Sequence, residues 1–149
     1  MSNETPKEWT LETEQVQARY DLESKLLRVV YHGVLNPAAS AQLYRWLGQL
    51  LIDSPEEANQ ARGSIFDFWQ VTRIDNSNLT SAQRQSQQMN ERVDLTNHPV
   101  ALIAANLYQR ELLRLTMQIS PQQDRKRIVS SEAEALEFIE HFHRTHIPT

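Results

Sequence analysis

At 149 residues, 40% hydrophobic and 23% charged, the chain can bury the core of one ordinary domain and is too apolar to be disordered. A formal net charge of −4 argues against nucleic acid as the main partner. The absence of cysteine excludes disulfides, thiolate metal sites and a cysteine nucleophile.

Residues 1–8 read as a flexible N-terminal tail, and residues 9–149 as a single domain. The polar opening, MSNETPKEWTLETEQ, lacks the apolar centre of a secretory signal. The segment WTLETEQVQARYD predicts a first strand, LESK a turn, and LLRVVYHGVL a second strand. In the second, Leu27, Val29 and Tyr31 alternate with Arg28, Val30 and His32. Both sets are largely apolar, as in a strand covered on both sides. The two strands are close enough in sequence to pair as an antiparallel hairpin.

Asn36 before Pro37 predicts the N-cap of a helix. Leu43, Trp46, Leu47, Leu50 and Leu51 then fall on one helical face. SPEEANQARG reads as a loop and SIFDFWQV as a strand. Residues 79–96 predict a more polar helix, with Leu79, Ala82, Met89 and Val93 on one side. PVALIAA is a buried strand, LYQRELLRLTMQ a helix, RKRIVS a short strand and SEAEALEFIEHFHR a last helix. Ser131 and Glu134 fit a capping box. The longest purely apolar run, residues 100–105, falls far short of the roughly 20 residues that span a bilayer. The expectation is a soluble, cytoplasmic protein without a transmembrane segment. One-for-one alternation of helix and strand after the hairpin predicts an α/β domain. Its sheet is mixed but mostly parallel, opened by a β-hairpin and covered by about four helices.

The stretch FDFWQVTRIDNSNLT resembles the central segment of STAS domains, the SpoIIAA-like fold of the anti-sigma-factor antagonists. That family reads Asp-Leu-x-x-Val-x-x-x-Asp-Ser-Ser-Gly-Leu across a strand, a turn and a helix start. Asp67, Val71, Asp75, Ser77 and Leu79 fall on matching positions. LLRVVYHGVLNPAASAQLYRWL looks like the family's second strand, G-x-L turn and first helix, and RIVSSEAEALEFI like its closing strand and helix. The likeness covers roughly residues 9–142. It implies a non-enzymatic protein-interaction or regulatory module. In switching members the serine after the aspartate is phosphorylated. Here Asn76 stands there, without a hydroxyl, and Asn78 replaces the glycine. The chain therefore resembles a non-switching member.

The resemblance places the candidate interaction surface at Arg73, Asp75, Asn76, Ser77, Arg84, Gln88 and Arg92. The partner implied is another protein, a second copy of this chain included. The same residues also read as a turn and an N-cap. A small-ligand or lipid-binding domain of STAS-like or Sec14-like fold is the alternative.

No catalytic residue, metal ligand or cofactor emerges. Asp67 lies in an apolar strand without a second titrating group at useful spacing. His141, His143 and His146 do not share one helix face and lack accompanying ligands. QQDRKR, residues 122–127, reads as a solvated basic loop. Trp46 and Trp69 belong to a core or a partner surface. No nucleotide-binding or hydrolase motif occurs.

Overall fold

The computed structural model of the chain describes residues 9–75, 84, 97–118 and 125–146. The tail expected at residues 1–8 lies outside them. So does the helix expected over residues 79–96, apart from Arg84, which is helical and exposed.

Six strands form one sheet: β1 (Thr10–Glu12), β2 (Val16–Asp21), β3 (Leu26–Leu35), β4 (Gly63–Ile74), β5 (Val100–Ile103) and β6 (Lys126–Val129). They lie side by side in sequence order. β1–β2 and β2–β3 pair antiparallel. β3–β4, β4–β5 and β5–β6 pair parallel. Four helices are described: α1 (Pro37–Asp53), α2 (Pro55–Asn59), α3 (Leu107–Gln118) and α4 (Glu132–His146). This is the mixed α/β sheet that the helix–strand alternation predicts.

Local chemistry explains most element ends. The Asn36 side chain accepts from Ala39 N at 3.0 Å and caps α1, with Pro37 at its first position. Leu43 and Leu50 of α1 are buried, with Trp46 and Leu47 packed beside them. The turn 22–25 closes the β2–β3 hairpin with Lys25 at φ 59°. At α4 the Ser131 hydroxyl accepts from Glu134 N at 3.2 Å. The Glu134 carboxylate accepts from Ser130 N at 2.8 Å, one residue earlier than a strict capping box requires.

Four expectations need correction. The first expected strand is two, β1 and β2, folded back at residues 13–15, where Thr13 Oγ1 accepts from Gln15 N and Val16 N. The loop after α1 contains the short helix α2, started by Pro55 with Glu56 and Glu57 in its first turn. In the basic cluster Arg125 is not solvated. Arg125 is 3% exposed and donates from Nη1 to His98 O at 3.1 Å. Lys126 and Arg127 belong to β6, and the Arg127 guanidinium lies 5.1 Å from the centre of the Phe138 ring.

The fourth concerns β3, which is not covered equally on both sides. Leu27, Val29 and Tyr31 face a core made with Ala39 and Leu43 of α1 and Leu113 of α3. Arg28, Val30 and His32, on the other side, are only half-buried. The second core joins Ile65, Ala101, Ile103 and Val129 to Ala135, Phe138, Ile139 and Phe142 of α4. Leu26 is the only β3 residue in that cluster. Successive right-handed crossovers in one direction stack their helices on one face. α1 and α3 share that face, and α4 takes the other, over β4–β6.

Candidate functional site

β4 carries two extra residues. Val30 and His32 of β3 pair with Asp67 and Gln70, and Gly33 and Val34 pair with Val71 and Arg73. Each step sets two residues against three or one against two, which is a β-bulge. Gly33, at φ +68°, supplies the left-handed backbone there. The bulges explain an irregular sequence. The α1/α3 face takes Phe66, Phe68, Val71 and Ile74, at spacings of two, three and three. At each bulge two neighbours point outward together: Trp69 with Gln70, then Thr72 with Arg73. Bulges commonly re-aim side chains at working surfaces.

The second bulge leads to the turn singled out by the sequence. Asp75 is half-buried, and its N–H donates to Leu35 O at 2.9 Å, tying the end of β4 to the end of β3. Arg73 is exposed just before it. Asn76, Ser77, Gln88 and Arg92 lie outside the described residues. Beside this end of β4 stands the first turn of α3. Asn106 Oδ1 accepts from Gln109 N at 2.9 Å. The buried Gln109 side chain accepts from Ala105 N at 2.8 Å and donates to Val71 O at 3.0 Å. A buried amide satisfied on both sides fixes that turn against β4. Leu107 and Tyr108 project from it, 72% and 57% exposed. Sequence reasoning missed both, because a helix's first turn gives too few residues for periodicity to show an unpartnered apolar pair.

The first bulge borders a cleft of about 370 Å³ between β3, β4 and the start of α4. Val30, Ile65 and Ile103 line it, with Asp67 and Trp69 from β4. Asp67 Oδ1 accepts from Trp69 N at 2.9 Å, satisfying the bulge's N–H. Arg28 forms an ion pair with Glu132 across the cleft's end. Asp67 stands inside β4, in the apolar strand where the sequence places it.

At the opposite end of the parallel strands, the histidines serve the fold. His143 Nε2 donates to Arg62 O at 2.6 Å, anchoring α4 to the chain before β4. His98 bonds the Ala61 backbone, and its Nε2 accepts from the Ser64 hydroxyl at 2.6 Å. Burial first, then Arg125 and His143, lower the His98 pKa to about 4. His141 is exposed on α4. Among the described residues no group of histidines and carboxylates could hold a metal ion. No described helix is long and apolar enough to cross a membrane.

No family model matches the chain, and no curated protein matches it. Solved structures do. SpoIIAA in its unphosphorylated form is 13% identical, with a TM-score of 0.53 over 84% of this chain and 97% of that one. The fold is SpoIIAA-like. An anti-sigma-factor antagonist from Mycobacterium paratuberculosis is 12% identical, with a TM-score of 0.53 over 87% and 99% of the two chains. A Shewanella loihica protein described as having a SpoIIAA-like fold is 13% identical, at 0.54 over 83% and 91%. At such identities the shared property is the fold, as the resemblance in the sequence implies.

Proposed function

We propose that this SpoIIAA-like chain is a non-enzymatic regulatory module that docks a protein partner through the carboxyl end of its sheet. The observation that carries the reading is the pair Leu107 and Tyr108, 72% and 57% exposed. They project from a turn that Gln109 locks to β4. Large apolar side chains held rigidly in water lose little entropy on docking and are typical interface anchors. Bulge-exposed Arg73 and the Asp75 turn give the patch a polar rim. Asn76, Ser77, Arg84, Gln88 and Arg92 extend the proposed surface along the following segment. Fold neighbours that are anti-sigma-factor antagonists support a role in regulation through protein contact.

The test is site-specific photo-crosslinking in the native host. A crosslinker at Tyr108 should trap one defined adduct, a second copy of the chain included. One at Arg144, exposed at the far end of α4, should not. Equal trapping from both positions, or an adduct at Arg144 alone, overturns the placement.

A further inference from the structure

The cleft at the first bulge has a chemistry that docking at the carboxyl end does not use. Its charged lining residues are Arg28, Asp67 and Glu132. Arg28 is occupied by Glu132. Asp67 spends Oδ1 on the Trp69 N–H and forms no ion pair among the described residues. It is half-buried beside Val30, its partner across the β3–β4 ladder. A carboxylate partly withdrawn from water, with one oxygen uncommitted, favours a cation. Trp69 supplies the complement. The bulge turns its ring outward, 55% exposed, on the same cleft. An indole face attracts ammonium and guanidinium groups, most strongly when a carboxylate is close. Ile65 and Ile103, each 3% exposed, make an apolar floor that suits a ligand's alkyl stem. The lining holds two carboxylates and one guanidinium, a net negative charge that favours a cation over an anion.

We infer that this cleft binds an organic cation, an alkylammonium or guanidinium on an apolar stem, held between the carboxylate of Asp67 and the ring of Trp69. Its volume, about 370 Å³, lies at the small end of ligand sites. It suits a free polyamine-sized amine or one basic side chain of a peptide.

Two probes separate those sources. Agmatine is the free cation, and an acetylated, amidated Gly-Arg-Gly peptide presents the same group on a backbone. Binding is read from chemical-shift changes of the Trp69 indole N–H and by calorimetry, at constant ionic strength. Saturable binding of both probes indicates a site for the cation itself; saturation by the peptide alone assigns it to a basic side chain of a partner. Asp67→Asn keeps an oxygen for the Trp69 N–H and removes the charge, so the bulge persists. It should weaken binding at least about tenfold. Trp69→Ala should do the same, and Trp69→Phe should recover part of the loss. Binding of neither probe up to about 10 mM, a range reached by very weak sites, overturns the inference. So does wild-type affinity in Asp67→Asn. Crosslinking at Tyr108 is independent of this result, so the two readings fail separately.

Discussion

Acid should unlatch the amino end of the parallel strands through His98. The imidazole lies among Ser64, Arg125 and His143, and its pKa falls from 6.5 to about 4, chiefly by burial and then by Arg125. The Ala61 carbonyl can only accept. In the neutral ring the other nitrogen therefore accepts from the Ser64 hydroxyl, at 2.6 Å. In the unfolded chain His98 titrates near 6.5. Below that pH the unfolded chain takes up a proton that the folded chain refuses. The stabilisation is therefore complete above about pH 6.5 and lost as pH falls toward 4. From 6.5 to about 4, at about 1.4 kcal/mol per pH unit, the whole effect is about 3 kcal/mol. About 2 kcal/mol of it is gone by pH 5. Urea unfolding of wild type and His98→Gln at about pH 7.5 and pH 5 measures the difference, since the other titrating groups are common to both. Wild type should lose about 2 kcal/mol more than the variant between these pH values. Parallel losses would show that His98 does not refuse the proton, and that the enclosed neutral imidazole is wrong.

Three further outcomes follow from local geometry. Asn36→Ala removes the side-chain cap of α1 and should cost about 0.5–2 kcal/mol, seen as a lower thermal midpoint. A Cβ at Gly63 would meet Pro99 O at 2.9 Å and the Ile139 side chain at 3.2 Å; since the first contact is backbone, Gly63→Ala should lose about 1–3 kcal/mol in chemical unfolding. Glu132→Gln breaks the Arg28 pair, but the two side chains are 29% and 59% exposed, so stability should change by under about 1 kcal/mol. On the proposed surface, charge reversal at Arg84, which is exposed, should weaken the trapped partner's binding and move the thermal midpoint little, because exposed changes usually cost under about 0.5 kcal/mol; the further reversal at Arg92 should weaken binding more.

The alternation of elements was legible in the sequence because long helices and apolar strands announce their periods. Leu43, Trp46, Leu47 and Leu50 mark α1, and PVALIAA marks β5. The bulges were not legible. An inserted residue breaks the period of two, so Phe66, Phe68, Val71 and Ile74 follow no simple rule. Only pairing with β3 shows that they share a face. Arg125 was misread for a related reason. A basic run looks solvated until the fold brings Arg125, just before β6, within reach of His98 O. Of the candidate surface, the sequence pointed to Arg73 and Asp75 by their place in a motif. Leu107, Tyr108 and the role of Trp69 depend on contacts between distant segments.

The same topology accounts for both surfaces. A sheet that grows in one direction by right-handed crossovers gathers its crossover helices on one face. In this chain α1 and α3 lie there, and α4 packs its apolar side on the other face against β4–β6 and the first residue of β3. On the rest of that face Gln17 and Arg19 are exposed, and Arg28, Val30 and His32 are half-buried. The boundary between the covered and open halves runs along β4. There the first bulge turns Trp69 out over Asp67. Further along the same strand the second bulge exposes Arg73 beside the turn of Asp75. One irregular strand thus holds two outward-facing groups on a rigid support. Deleting Gln70 would remove the first bulge and leave Val71 opposite Gly33 on the covered face, so the extra residue serves the outward surface and not the core.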